Sequence, residues 1–357
     1  MSKLKLTFPL LVGGMFILIL YGELHGDAGT KPCTEQIAVP TEECLQQLHF
    51  QQNYKVDFDS PIALQAMDFA KQIDIDLMMN DVTWLADDAR EGRASGFPGE
   101  DAAAKWLAER YQSLGLHVFK QMGLSDFMHK FTFPYDDEYL QGENIIGVLP
   151  GGINADEFIV IAAHYDHLGI ENGEIYNGAD DDATGVAVVL EMARVFTQSK
   201  LRPQKSILFV AFSGEEIGHV GSGNFCYEMF MQRLVNKLTV LNLEMLGAVR
   251  DTYVNIWDQD DALAQPIVAA VAAASKQLNI PFLVSSGRDP GSDAVELLDC
   301  KIAATTMDAG GGDDFYDNHP HYHATTDDPE HIDRQGFLKT AQVATIAIWR
   351  LANNDFR

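Results

Sequence analysis

The sequence predicts a three-layer α/β/α fold, with a mixed, largely parallel central sheet flanked by helices. Three observations carry that expectation. Short apolar segments of strand length alternate with helical patterns along most of the chain. From Glu157 to Gly218 the order is strand (EFIVIAAHYDHLG), turn (NGADDDATG), helix (GVAVVLEMARVF) and strand (ILFVAFSGEEIG). His164, Asp166, Asp180, Glu215 and Glu216 fall at the ends of these apolar segments, where a rigid scaffold aims side chains into a cleft.

The elements follow in order. From Pro61, IALQAMDFAKQI and then VTWLADDA place apolar residues at three- and four-residue spacing, which predicts helices. REGRASGFPGE is a Gly-rich loop, and Glu100 and Asp101 form the acidic start of a helix ended by Gly115. The strand LHVFKQ follows, with a partner near ENIIGVLPG, where Pro150 and its glycines turn the chain into the EFIVIAA strand. After the central stretch, LTVLNLEMLG predicts a buried strand ending in a carboxylate, and DALAQPIVAAVAAASKQLN a long Ala-rich helix. PFLVSS, a polar loop GRDPGSDAVELL, a strand KIAATTMDAG and a long loop through His319, His321 and His323 come next. RQGFLKTAQVATIAIWRLAN closes the domain as a helix. With no repeat and no linker after residue 60, residues 61–357 are expected to form one catalytic domain behind a lead-in at 27–60.

Length and composition bound the rest. A chain of 357 residues with 46% hydrophobic content can bury a full-sized core. Lys3 and Lys5 precede an apolar run from Leu6 to Tyr21, the layout of a secretory signal peptide over residues 1–26. Export to a periplasmic or extracellular location follows, with retention as an anchor through residues 6–21 as the alternative. The net charge of −27 repels nucleic acid and anionic membranes and leaves no expectation of either as a partner. Cys33, Cys44, Cys226 and Cys300 allow three disulfide pairings, among which the sequence does not choose, and lack the spacing of a structural zinc site.

Two imidazoles and three carboxylates stand at strand ends or in the loops after them: His164, Asp180, Glu216, Glu244 and His323. These donors suit zinc, and one shared carboxylate can hold two ions about 3.5–4 Å apart. Glu215, adjacent to Glu216, would point differently and act as general base. Asp166, two residues after His164, and Asp327, four after His323, are placed to accept the second ring hydrogen of each imidazole. Taken singly these residues have ordinary readings: a buried histidine, a solvated turn, a surface glutamate pair. SGEE directly after the apolar run ILFVAF changes the balance, because a buried strand ending in two carboxylates is costly unless they are coordinated or paired. His167, His219, His319 and His321 lack such a context and are expected to be loop or rim residues.

AHYDHLG, NGADDDATG, FSGEEIGHVGS, LNLEMLG, SDAVEL and YHATTDD together, in that order, resemble the zinc-dependent exopeptidases that include bacterial leucyl aminopeptidases and glutamate carboxypeptidase. The resemblance spans roughly residues 75–350 and implies a fold of the phosphorylase/hydrolase-like kind. It implies two zinc ions bridged by Asp180, with the Asp180–Asp181 bond able to be cis. His164 and Glu244 would complete one site, Glu216 and His323 the other, and Glu215 would be the base. Two departures stand out: the family usually has Asp where Glu244 stands, and commonly His where Ala294 stands.

The implied activity is hydrolysis of the N-terminal peptide bond of peptide substrates. Pocket residues are expected from loops 285–295 and 310–322, with Ser292 and Asp293 in the first and Phe315, Tyr316 and Tyr322 forming an apolar wall in the second. The competing readings are a glutaminyl cyclase on the same scaffold, a carboxypeptidase with Arg288 or Arg250 as a cationic clamp, and a metal-free binding homologue. Side-chain specificity and oligomeric state stay open.

Overall fold

The computed structural model describes residues 56–247, 253–289, 291–311 and 315–355. The apolar leader, Cys33, Cys44 and Arg250 lie outside them. Helix α1 (Pro61–Ala70) starts where Ser60 Oγ accepts from Ala63 N and proline occupies the first turn. Helix α2 (Ile75–Leu85) is capped by Asp74, whose carboxylate accepts from the amides of Asp76 and Leu77. Helix α3 (Pro98–Ser113) begins two residues before Glu100, because Pro98 fits a first helical position.

The sheet has nine strands: β1 (His117–Val118), β2 (Met128–Tyr135), β3 (Glu138–Leu149), β4 (Asn154–His164), β7 (Lys205–Phe212), β8 (Leu238–Glu244), β9 (Val254–Trp257), β10 (Phe282–Ser285) and β11 (Ala303–Ala309). Their order is β1-β3-β7-β4-β8-β11-β9-β10, with β2 also paired to β3. Strands β7, β4, β8 and β11 run parallel, as do β9 and β10; β1, β2 and β7 meet β3 antiparallel, and β9 meets β11 antiparallel. A hairpin of β5 (Gly169–Glu171) and β6 (Glu174–Tyr176) stands apart.

The period of two along β4 divides the core. Ile159, Ile161 and Ala163 face one side, packed with α1, α2, α4 (Thr184–Gln198), α6 (Gln265–Leu278) and α9 (Arg334–Ala352). Phe158, Val160 and Ala162 face the other, packed with Phe225 and Met229 of α5 (Val220–Met231) and Leu297 of α7 (Asp293–Asp299). Both faces are covered, so the central strands are apolar throughout rather than alternating. The result is the expected three-layer mixed sheet.

Several elements differ from expectation. The segment GSDAVELL, expected as loop, carries α7, because Ala294, Leu297 and Leu298 are spaced to bury one helical face. Strand β9 lies in the stretch left unassigned after LNLEMLG, and β2 buries Phe131 and Phe133 alternately. Beyond Val118 the predicted strand LHVFKQ becomes a short 3-10 turn ended by Gly123 at φ +82°. Phe315–Asn318 forms one short helix, α8, in the long loop. Cys226 at α5 and Cys300 after α7 form a disulfide with a Cα separation of 6.2 Å. No helix of the described residues is long and apolar enough to cross a membrane.

Candidate metal centre

The parallel strands bring their C-terminal ends together. Strand β4 ends on His164 and β8 on Glu244; Glu215 and Glu216 follow β7. Asp180, Asp181 and Asp182 occupy a wide helical turn, Ala179–Ala183, before α4. Buried Arg93 ties these pieces together. Its guanidinium donates to the carbonyls of Tyr165 (2.7 Å), Leu85 (2.8 Å), Asn177 (2.6 Å) and Gly178 (2.9 Å). The loops carrying His164 and the Asp turn are thereby held in one register. Gly178 is required at φ +58°, since a Cβ there would lie 2.5 Å from the His167 ring.

Two groups of donors converge on Asp181. His164, Asp181 and Glu244 form one; His167, Asp181 and Glu216 form the other, each with its ligand atoms within 4.8 Å of one another. His164 Nε2 lies 3.0 Å from Glu244 Oε1 and 3.1 Å from Asp181 Oδ1. On the other side, His167 Nδ1 is 2.7 Å from Glu216 Oε1 and 3.7 Å from Asp181 Oδ2. His323 Nε2 joins this second group, 3.2 Å from Glu216 Oε2 and 3.3 Å from Asp181 Oδ2.

These donors fit a cation. His167 Nε2 is buried without a hydrogen-bond partner among the described residues, and Asp181 Oδ2, Glu216 Oε1 and His167 Nδ1 approach one another or His323 only in geometries that make no hydrogen bond. Such groups are expensive unless something compensates them. Charge points the same way. Burial first, and then the surrounding carboxylates, drive Glu244 and Asp182 well above the usual carboxylate range, with His164 opposing. Burial works against charge on His164, yet Glu244 and Glu215 raise it well above the usual histidine range. Three carboxylates and three imidazoles meet here, which is the composition of a divalent-cation site.

Glu215 stands beside both groups without joining either. Its amide donates to Asp166 Oδ1 (3.2 Å) and its Oε1 lies 3.2 Å from His219 Nε2. Burial raises its carboxyl well above the usual range; His164 opposes, and Asp293 and Glu216 add to the rise. That is the environment of a general base.

A cavity of about 400 Å3 opens against these groups, lined by Asp181, Glu215, Glu244 and His323 and by aromatic residues of the long loop. The profile of peptidase family M28 matches residues 144–347, which contain every donor named above. The chain belongs to peptidase family M28. Among proteins it resembles are the aminopeptidase YwaD of Bacillus subtilis (26% identical over 218 residues, 60% of this chain and 45% of that one) and a probable zinc metalloprotease of Pyrenophora tritici-repentis (33% over 156 residues, 42% and 35%). The chain therefore spans less than half the length of these relatives. Its fold matches the aminopeptidase of an Aneurinibacillus strain, with a TM-score of 0.66 at 17% identity, covering 80% of this chain and 95% of that one.

Within this M28 chain, the structure rearranges several sequence-based roles. Asp180 does not lie between the histidines. Its Oδ1 accepts from Gly247 N (2.7 Å) and its Oδ2 meets His319 Nδ1 (2.6 Å), so it fastens the turn while Asp181 faces the centre. The cis bond is Asp181–Asp182, one residue later than expected. Three consecutive aspartates concealed which one points inward. Asp327 does not reach His323; its carboxylate accepts from the amides of Asp180 (2.9 Å) and Asp181 (3.1 Å). Asp166 serves His164 through its main-chain carbonyl, 3.1 Å from Nδ1, while its carboxylate holds Ser95 Oγ and the amides of Glu215 and Glu216.

Glu244 reaches His164 despite its longer arm. Phe315, Tyr316 and Tyr322 line the cavity, whereas Ser292 and Asp293 do not: both are fully buried, with Ser292 Oγ 2.7 Å from Thr306 Oγ1. His167 was the residue sequence reasoning passed over. Its one signal was its position three residues after His164, in the same loop leaving β4.

Proposed function

We propose that this chain is a zinc-dependent aminopeptidase that holds two zinc ions. One would be held by His164, Asp181 and Glu244, the other by Asp181, Glu216 and His323 with His167 adjacent. The observation that carries this reading is the sharing of Asp181 between two donor groups next to Glu215, which belongs to neither. Zinc bound there would polarise a scissile carbonyl and make water more acidic.

The chain's own residues would do the rest. Glu215 takes the proton from water and returns it to the leaving amine, and burial suits its proton affinity to both steps. Asp166 keeps Glu215 and Glu216 pointing apart by fixing both amides. An acidic cavity favours a substrate's free amino end. The cationic clamp a carboxypeptidase would need has no support among the described residues: no Lys or Arg lines the cavity, and Arg288 turns instead to Asp299 (2.9 Å).

Glu215→Gln is the decisive variant. It should lower kcat on aminoacyl substrates by about 10²-fold or more while zinc content stays near wild type. Hydrolysis at the wild-type rate would remove Glu215 as the base, and chelator-resistant hydrolysis would remove zinc.

A further inference from the structure

The cavity is also lined by two carboxylates, of Asp289 and Asp308, that the proposed hydrolysis does not use. Asp308, on β11, is paired in register with Glu244 on β8 and with Asn255 on β9. It thus sits one strand spacing, about 5 Å, farther across the sheet than Glu244. Its Oδ2 accepts from Asn255 Nδ2 (2.8 Å) and Trp257 Nε1 (3.2 Å), and Asn255 Oδ1 in turn accepts from Ser285 Oγ (2.7 Å). The carboxylate is therefore held in one orientation.

Asp308 Oδ1 is left without a hydrogen-bond partner among the described residues, although the residue is only 5% exposed. Such an oxygen is costly in the free protein. Gly311 lies directly against it, since a Cβ at that position would sit 2.2 Å from Oδ1. Asp289, also buried, lines the same cavity from the loop after β10, and its Oδ1 accepts from Gly291 N at 3.2 Å. Trp257, Phe315, Tyr316 and Tyr322 line the same cavity.

We infer that this part of the cavity is a recognition pocket for a basic first side chain, lysine or arginine, of the peptide substrate, with Asp308 as the specificity-determining residue. The inference rests on the aminopeptidase reading and names the substrate class of that site. Aromatic walls suit the aliphatic stem and the cation at its tip. The unpartnered Oδ1 of Asp308 supplies the charged acceptor. A leucine side chain entering the pocket would leave Asp308 Oδ1 buried without a partner.

The test compares kcat/KM of the zinc-loaded full chain on lysyl, arginyl and leucyl p-nitroanilides, for wild type, Asp308→Asn and Asp289→Asn. Wild type should favour the basic substrates by about tenfold or more, and Asp308→Asn should reduce the lysyl-to-leucyl ratio by at least about tenfold. A wild-type preference for leucine, or equal losses on both substrates in Asp308→Asn, would overturn the inference. Calorimetry of Glu215→Gln with lysinamide and its uncharged analogue norleucinamide reads the pocket without turnover. Tighter lysinamide binding supports the pocket even if no aminoacyl bond is cleaved, in which case the aminopeptidase reading alone fails; equal binding overturns it.

Discussion

Replacing Arg93 with methionine should show how the metal-bearing loops are held. The guanidinium is fully buried and makes four bonds to main-chain carbonyls of three segments. Burial lowers its pKa to about 10, with Asp166, Asp327, Asp181 and Asp182 opposing, so it is cationic at neutral pH and offsets the acids around it. Hydrogen bonds to a charged donor contribute about 1.5–3 kcal/mol each, but not additively, and desolvation of the cation is regained in the variant. Breaking a buried charged network costs about 3–5 kcal/mol, and that is the loss expected for Arg93→Met. Spread over a domain of this size it corresponds to a fall in Tm of about 5–8 °C. Denaturant unfolding of the chelator-treated protein measures it without metal linkage, and zinc titration of the same variant should show weakened binding. Arg93→Lys, which keeps the charge with three donors in place of the planar fork, should recover part of the loss. A stability change under about 1 kcal/mol with unaltered zinc affinity would refute the idea that this side chain organises the site.

Two further outcomes concern stability. Reducing the Cys226–Cys300 bridge, or replacing both cysteines by serine, should destabilise the chain by about 2–4 kcal/mol, because the bridge closes a long loop with 74 residues of separation; denaturant midpoints with and without reductant read this directly. His129 is buried beside Asn144, its Nδ1 3.1 Å from Asn144 Nδ2, and burial lowers its pKa to about 4. Since the folded value lies below the unfolded one, the unfolded chain binds the extra proton first. The neutral ring's contribution is complete above about pH 6.5 and lost as pH falls toward 4, by about 3 kcal/mol. His129→Asn should flatten the urea midpoint across that window relative to wild type; an unchanged slope would show that the ring is protonated in the fold.

The layered architecture was legible because burial on both sheet faces leaves continuous apolar runs such as ILFVAF, and because acids and histidines punctuate their ends. Strand β9 was harder to see: it is four residues long, and Asn255 interrupts its apolar character to serve Asp308. Helix α7 was masked by the polar GRDPGSD stretch that precedes its apolar face. At the site, residue type and order located His164, Glu215, Glu216, Glu244 and His323 together. The choice among Asp180, Asp181 and Asp182 depended on which carboxylates the backbone amides of Gly247 and Met245 captured, and those come from a distant segment. Asp308 was invisible for the same reason, since its register beside Glu244 exists only once β11 pairs with β8.

Asp181 is common to both donor groups. Zinc per chain, measured by plasma mass spectrometry on dialysed wild type, Asp181→Asn and Asp180→Asn, shows whether two ions depend on it. Two equivalents in wild type and Asp180→Asn, with both lost in Asp181→Asn, is the predicted result. Two equivalents retained by Asp181→Asn, or their loss only in Asp180→Asn, would contradict that dependence.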